Sequence, residues 1–113
     1  MTRLLALALL LATTSCLASV EPLPFEVKLE ASKTTFPKGE LVDFVVTAQG
    51  GTLLAVDIDY GDGITEQFPP SGSRTARITF PHAFDVAGSY LVKATVTEGS
   101  AGEKSATVQV TVN

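Results

Sequence analysis

The sequence predicts one all-β domain, an antiparallel β-sandwich of about seven strands that occupies residues 25–113. Three observations lead to this fold class. Apolar residues repeat with period two after residue 24 and do not follow the spacing of three and four that a helix requires. Clusters of Gly, Pro and Ser separate these runs at short intervals. Seven short strands in roughly 90 residues are typical of a two-sheet sandwich.

Each predicted strand places its apolar side chains on one face, because successive residues of a strand point to opposite sides. In chain order, the residues predicted to face the core are Phe25, Val27 and Leu29; Val42, Phe44, Val46 and Ala48; Leu54, Val56, Ile58 and Tyr60; Ile78 and Phe80; Tyr90, Val92, Ala94 and Val96; and Ala106, Val108, Val110 and Val112. A weaker strand over residues 65–68 completes the seven. The intervening threonine, lysine and glutamate side chains then face water.

The start of the third strand holds an ambiguity, since Leu53 and Leu54 are adjacent. Only one of them can face the core, because a shift of one residue moves a side chain to the other face of the sheet. The alternation that runs back from Tyr60 favours Leu54. The turns between strands are predicted at Pro37-Lys38-Gly39, Gly50-Gly51, Gly61-Asp62-Gly63, Ser71-Gly72-Ser73, Gly88 and residues 99–102.

The composition excludes several classes of protein. The formal net charge is −4, with 8 Lys+Arg against 12 Asp+Glu, whereas nucleic-acid binders need a basic face that replaces phosphate counterions. One cysteine permits neither an intrachain disulfide nor a cysteine-rich zinc site, and one histidine excludes a multi-histidine metal site. Hydrophobic residues make up 45% of the chain, which is too many for a disordered acidic tail.

Residues 1–15 have the pattern of a secretory signal peptide. Arg3 supplies a positive charge, an unbroken apolar run follows from Leu4 to Ala12, and small residues come next. A helix over this apolar run is about 14 Å long, which is too short for a bilayer core of about 30 Å. A buried N-terminal helix is the alternative, but no polar residues are spaced to make the run amphipathic.

The lone cysteine, Cys16, lies where the signal should end. This arrangement resembles the bacterial lipoprotein signal, which implies a lipid on Cys16 and cleavage just before it, although Thr13 stands where such signals usually carry leucine. Residues 16–24 then form a tether, and the two prolines of Glu21-Pro22-Leu23-Pro24 favour an extended spacer. The alternatives are cleavage after Ala18, which would discard Cys16, and a free exported thiol, which would be prone to oxidation.

A motif in the middle of the chain, Asp57-Ile58-Asp59-Tyr60-Gly61-Asp62-Gly63, resembles the Trp-Asp-Phe-Gly-Asp-Gly motif of polycystic kidney disease (PKD) domains. His82-Ala83-Phe84 and then Gly88-Ser89-Tyr90-Leu91-Val92 resemble the His-x-Tyr and Gly-x-Tyr-x-Val that follow in that family. Ile58 and Phe84 depart from the preferred Trp and Tyr but keep an apolar body. The resemblance covers nearly all of the region after the tether and implies an immunoglobulin-like sandwich.

Several structural roles accompany this motif. Ile58 and Tyr60 face the core by alternation, and Gly61 and Gly63 permit positive φ on either side of Asp62. Asp62 can then accept hydrogen bonds from the turn. The resemblance implies that His82 is a structural hydrogen-bonding residue near this turn, with Phe84 and Gly88 in supporting places. It also implies that Tyr90 is a "tyrosine corner", whose hydroxyl bonds back to the backbone.

A calcium site is the functional hypothesis for Asp57, Asp59 and Asp62, because Ca²⁺ takes several oxygen ligands and Glu66 brings a fourth carboxylate within ten residues. Some PKD-like domains bind calcium, so the resemblance supports this option. The structural alternative is that Asp59 and Asp62 stabilise the turn, while Asp57 and Glu66 are solvated or pair with an arginine. No other cofactor is predicted.

No catalytic residues are predicted, so the protein is not expected to be an enzyme. A catalytic role for His82 would require a nearby serine nucleophile, and the chain contains no nucleophile-elbow motif. The segment Phe68-Pro69-Pro70 is either a partner-binding loop or a loop that packs on its own sheet. A fold does not determine a function, so the function must come from such sites.

The resemblance implies a spacer or a binding module, and a single domain behind a lipid anchor favours binding. The sequence therefore predicts an exported domain, anchored by lipid in a bacterial cell envelope at the outer membrane or surface. Its expected partners are the membrane, through the anchor, and an envelope protein or carbohydrate, with no nucleic acid. The alternative is a structural spacer or assembly subunit without a small ligand.

Overall fold

The computed structural model describes residues 23–113. The predicted signal peptide, the lipidation site Cys16 and most of the 16–24 tether lie outside the described residues, so these remain predictions. In the described part of the chain, no helix combines the length and hydrophobicity that crossing a membrane requires.

The described chain consists of β-strands joined by turns, as the period-two pattern predicts. The strands are β1 (Glu26–Ala31), β2 (Thr35–Phe36), β3 (Val42–Gln49), β4 (Leu53–Asp59), β5 (Thr65–Phe68), β6 (Thr75–His82), β7 (Gly88–Glu98) and β8 (Gly102–Val112). They form a three-stranded sheet in the order β1-β3-β6 and a five-stranded sheet in the order β2-β8-β7-β4-β5. The predicted all-β sandwich is confirmed.

The strand β2 is absent from the predicted set. It is two residues long, too short to show a period, and it pairs with β8 in parallel, whereas every other strand pair is antiparallel. Phe36 of β2 is buried, and its ring centroid lies 5.8 Å from that of Phe84. The pairing is therefore held by burial of one aromatic ring at the end of the sandwich.

The core lies between the two sheets, and the predicted inward faces of β3 and β7 are confirmed. All four inward residues of β3 are buried, and Val92, Ala94 and Val96 of β7 are completely buried. The inward residues of β1 are only partly buried and pack against the core from outside it. This difference follows from position, since β1 is an edge strand while β3 and β7 have neighbours on both sides.

The preference for Leu54 as the inward residue is wrong. Leu53 is completely buried and Leu54 is half exposed. The pairing of β4 with β7 shifts its register between Leu53 and Ala55, and this bulge reverses the facing of the side chains before it. Counting back from Tyr60 by alternation therefore identifies the buried residues correctly as far as Val56, but it selects the wrong residue on the N-terminal side of the bulge.

A carboxylate stabilises the β7–β8 turn at one end of the sandwich, next to the β3–β4 turn. Glu98, at the end of β7, is buried and accepts hydrogen bonds from the backbone N–H groups of Ser100 (2.8 Å) and Ala101 (3.2 Å). The N–H of Gly99 donates to the carbonyl of Thr52 in the β3–β4 turn, at 2.9 Å. The absence of a side chain at Gly50 leaves room for the Glu98 side chain, since a Cβ at residue 50 would lie 3.1 Å from Cγ of Glu98.

We expect Glu98→Gln to remove a stabilising contribution that depends on pH. Hydrogen bonds from the backbone of Ser100 lower the pKa of Glu98 below its ordinary value, more than burial raises it. A lowered pKa in the folded state stabilises the fold above the ordinary pKa, and this contribution disappears as the pH falls through the folded-state pKa. Urea unfolding at neutral pH and about pH 3 should show wild type and variant differing more at neutral pH. An equal difference at both would contradict the assignment.

Candidate functional site

Two aspartates stabilise the turn that follows β4. Asp59 Oδ1 accepts a hydrogen bond from the N–H of Gly61 at 2.9 Å, and Asp62 Oδ1 accepts one from the N–H of Ile64 at 3.1 Å. Each bond spans two residues, which is the geometry of an Asx-turn. Gly61 and Gly63 have φ values of 81° and 92°, a region that favours glycine. The turn therefore uses both carboxylates for its own backbone.

The second oxygen of Asp62 ties the two sheets together. Nε2 of His82 lies 2.7 Å from Oδ2 of Asp62, and the imidazole donates because a carboxylate only accepts. His82 ends β6 in the three-stranded sheet, whereas Asp62 follows β4 in the five-stranded sheet. The His82 ring also stacks on Tyr60, with centroids 3.7 Å apart and planes 3° apart. Among the described hydrogen bonds, the ring has Asp62 as its partner and no serine.

Aromatic rings fill this end of the sandwich. Phe84 contacts the edge of the His82 ring at a centroid distance of 4.7 Å and packs against Tyr90 at 4.6 Å. The Tyr90 hydroxyl donates to the carbonyl of Val86 at 2.6 Å, so the predicted tyrosine corner is confirmed. Phe84 thus occupies the place of the family's tyrosine as a fully buried ring.

Tyr60 has an unusual hydroxyl. The Tyr60 side chain is completely buried. Among the buried side-chain N and O atoms of residues 23–113, its hydroxyl oxygen is the one without a hydrogen-bond partner by distance and angle. Burial raises the pKa of Tyr60 above its ordinary value, and the negative charges of Glu66 and Asp62 raise it further. The hydroxyl therefore stays protonated.

The three carboxylates of the calcium hypothesis do not come together as a ligand set. Within residues 23–113, no three His, Cys, Asp or Glu side chains are grouped closely enough to hold a metal ion. Asp59 accepts a hydrogen bond from its own turn, and Asp62 contacts that turn and His82, while Asp57 lies on the outer face of β4 opposite Thr95. The turn engages the carboxylates of Asp59 and Asp62, and calcium binding by these residues stays a prediction.

We expect Asp62→Ala to destabilise the domain by about 1–3 kcal/mol, because it leaves the N–H of Ile64 and the buried His82 ring without their partner. Thermal melts of wild type and variant, each with calcium and with chelator, measure this. Calcium should shift neither protein. A calcium-dependent rise in the wild type alone would restore the metal hypothesis, because ligand at 100 times its Kd adds about 2.7 kcal/mol.

The loop of Phe68, Pro69 and Pro70 packs against its own sheet only at Pro70, while Phe68 and Pro69 are exposed. Pro70 is buried, and the turn after it is bonded to Leu53 through two backbone hydrogen bonds, from Gly72 N to Leu53 O (2.9 Å) and from Leu53 N to Ser73 O (2.8 Å). Phe68 is 46% exposed at the end of the edge strand β5. Phe68 and Pro69 are therefore the residues of this segment that a partner could contact.

Two concavities lie near the Asp-Gly turn. An end groove of about 240 Å³ is lined by Asp62, Ile64, Asp85, Val86 and Tyr90. A polar cleft of about 360 Å³ on the five-stranded sheet is lined mainly by hydroxyl, amide and charged side chains, namely Asp57, Asp59, Thr65, Glu66, Gln67, Lys93 and Thr95.

The sequence reasoning overlooked Ile64 and Val86, which form the apolar walls of the end groove. Both lie outside the period-two runs, in turns that are otherwise polar, and they are 47% and 66% exposed. An apolar residue in a polar turn is the signal that could have found them, because a turn on the surface does not bury it.

Comparisons with known proteins agree with this architecture. The family model of the PKD domain matches residues 26–112. No match was found among curated proteins. The chain is similar to the solved PKD domain of an M14-like peptidase from a Thermoplasmatales archaeon, with 25% identity, a TM-score of 0.64, and coverage of 84% of this chain and 98% of that one.

Two further solved structures show the same fold. The PKD domain of the human VPS10 domain-containing receptor SorCS2 has 21% identity and a TM-score of 0.59, and the match covers 83% of this chain and 76% of that one. The CARDB domain of the PF1109 protein from Pyrococcus furiosus, solved with di-metal ions, has 18% identity and a TM-score of 0.60, with coverage of 80% and 93%. The family model spans nearly all of the described chain, and this protein therefore belongs to the PKD domain family, whose members are generally non-catalytic modules that often mediate protein interactions.

Proposed function

We propose that this protein is an exported, lipid-anchored PKD domain that binds another protein of the bacterial cell envelope without catalysing a reaction. Its family supplies the general support, since PKD domains often mediate protein interactions. The end groove carries the proposal for this chain. It combines exposed apolar walls with a floor that the tyrosine corner and the His82–Asp62 pair hold in place.

The chemistry of the end groove suits a protein segment. Ile64 and Val86 offer apolar surface, and the carboxylates of Asp62 and Asp85 border it. Buried apolar contacts at the centre with polar groups at the rim are the usual anatomy of a protein interface. A partner that inserts an apolar side chain and carries a basic residue beside it would match both features.

Capture from solubilised envelopes with the tagged domain tests this proposal. Ile64→Glu should abolish capture of the partner, because it places a charge on the apolar wall. Leu54→Glu is the matched control, since Leu54 is similarly exposed and lies at the opposite end of β4. Equal capture by both variants and wild type would refute the end groove as the binding surface. No specific capture by any of them would favour a structural spacer.

Carbohydrate binding is the second candidate, and the polar cleft favours it. Asp57, Gln67 and Thr95 place a carboxylate, an amide and a hydroxyl around one concavity, and such groups hydrogen-bond sugar hydroxyls. Titration calorimetry with isolated envelope polysaccharide distinguishes the two candidates. Gln67→Ala should weaken carbohydrate binding at the polar cleft and leave protein capture unchanged. Ile64→Glu should abolish protein capture and leave carbohydrate binding unchanged.

The anchor is tested by Cys16→Ser. We expect this variant to move from the membrane fraction to the soluble fraction, because each buried CH₂ of an acyl chain contributes about 0.8 kcal/mol to membrane binding. Membrane fractionation and intact-mass measurement check the result. A mature wild-type chain that begins at Ser19 and carries no lipid would refute the anchor and leave the proposed binding function standing.

A further inference from the structure

The strand β6 (Thr75–His82) is an edge of the three-stranded sheet, with β3 as its single strand partner. Other hydrogen bonds show which of its backbone groups point outward. The N–H of Ser32 donates to the carbonyl of Asp43 at 2.9 Å, so the backbone of Asp43 faces β1. The direction of the backbone N–H and C=O groups alternates along a strand. The backbone groups of Phe44 and Val46 therefore point toward β6.

The pairing register carries this alternation onto β6. Phe44 lies opposite Phe80 and Val46 lies opposite Ile78. The backbone groups of Phe80 and Ile78 therefore hydrogen-bond to β3. The bond from Gly50 N to Arg74 O, at 2.9 Å, extends the same alternation past the end of the strand. The backbone groups that point to the open side consequently belong to Thr75, Arg77, Thr79 and Pro81.

Pro81 independently supports this orientation. A proline within a sheet is confined to places where the missing N–H would face away from the neighbouring strand, and Pro81 occupies such a place. The open side of β6 thus presents the N–H groups of Thr75, Arg77 and Thr79 together with the carbonyls of all four residues. None of these groups takes part in the other hydrogen bonds described for residues 23–113.

The other sheet edges are shorter or covered. The edge strands β2 and β5 have two and four residues, against eight in β6. The edge strand β1 lies beside β8, and Nζ of Lys104 in β8 donates to the carbonyl of Phe25, just before β1, at 3.0 Å. An open strand of this length is a template for an added strand.

The open edge of β6 carries positive charge in an acidic protein. Arg77 is exposed in the middle of the strand and Arg74 lies just before it, whereas the whole chain has 12 acidic residues and 8 basic ones. Within the described residues, neither arginine lies within salt-bridge distance of a carboxylate. On the side toward β3, Arg77 shares a concavity with Glu30 and Asp43, but residues 74–82 themselves contain two arginines and no carboxylate. Charge complementarity along the edge strand therefore favours an acidic occupant. A second copy fits less well, because it would bring its own Arg77 and Arg74 to the same edge.

We propose that the open edge of β6 receives an extended acidic segment of a partner protein as an added β-strand. Its backbone pairs with Arg77 and Thr79, and its carboxylates lie beside Arg77 and Arg74. The inference rests on the proposed protein-binding function and adds a second contact, away from the end groove.

A synthetic peptide of alternating Glu and Thr residues serves as the probe, and a Lys-Thr peptide of equal length is its control. On the isotope-labelled domain, the acidic peptide should shift the amide resonances of Arg77 and Thr79 and slow their hydrogen exchange, and added salt should reduce the effect. The basic peptide should do neither.

Two variants with matched controls separate the backbone from the charge. Thr79→Pro removes an outward N–H and keeps the β3 pairing, and Thr79→Val is its control. Arg77→Glu should weaken binding of the acidic peptide roughly tenfold, because it replaces an attractive charge with a repulsive one. Lys28→Glu, on the same sheet and also exposed, should not. Thermal melts establish that each variant is folded.

Shifts confined to Ile64 and Val86 would overturn the β6 proposal and leave the proposed function intact. A dimer that forms with rising concentration through Arg77 and Thr79, without peptide, would replace the acidic segment by a second copy. Absence of binding by the acidic peptide would refute the proposal. Failure of partner capture through the end groove would instead refute the proposed function, so the two failures are distinguishable.

Discussion

Val92→Asp is expected to unfold the domain, whereas Lys93→Asp should leave it folded. Val92 is completely buried in the central strand β7, and the next residue, Lys93, points to the outer face of the same strand. A carboxylate without a partner costs several kcal/mol in the core, which is comparable to the whole stability of a domain of this size. The outer side chain changes its charge in water and costs far less.

Circular dichroism and thermal melts measure this difference. Val46→Asp is the companion variant, since Val46 is completely buried in the opposite sheet and should unfold the domain as well. Lys93→Asp should cost a little, because it brings a second carboxylate opposite Asp59 on the neighbouring strand. A Lys93→Asp protein as unstable as Val92→Asp would mean that the inward face of β7 is misassigned.

Gly61→Ala is expected to destabilise the domain far more than Gly63→Ala. Both glycines have positive φ, so a side chain at either costs roughly 1–2 kcal/mol. A Cβ at Gly61 would also lie 2.8 Å from the carbonyl oxygen of Leu91, whereas a Cβ at Gly63 meets no atom within 4 Å. Because the obstructing atom is backbone, β7 itself must move to admit the methyl group.

Chemical denaturation of the two glycine variants isolates the close approach of the turn to β7. The conformational cost is common to both, so the difference in their free energies of unfolding reports the contact with Leu91. Equal losses of stability would contradict the close approach and leave backbone conformation as the reason for Gly61.

The strands and most of their inward faces could be predicted, because alternation is a local property of extended backbone. The error at Leu53 and Leu54 has the same origin. A bulge is chosen by the pairing of β4 with β7, and nothing in the local pattern marks it. The strand β2 was unpredictable for a related reason, since its two residues are held by Phe36 packing on a distant ring.

The candidate site also has features that follow from local sequence and features that depend on long-range packing. The turn chemistry of Asp59 and Asp62 follows from their own neighbours, so sequence reasoning could reach it. The stacking of His82 on Tyr60 joins residues 22 positions apart in opposite sheets, and local pattern carries no trace of it. The apolar walls of the end groove likewise depend on how separate turns meet.

Local patterns are enough to predict that residues 25–113 are all-β, which side chains of most strands are buried, and that an aspartate-rich turn follows β4, since each depends on a few successive residues. The order of the strands in each sheet is a property of the tertiary packing. That order leaves β6 open on one side and brings Asp62 to His82. The physical reason is that long-range pairing is chosen by the packing of the whole core, which no local pattern encodes.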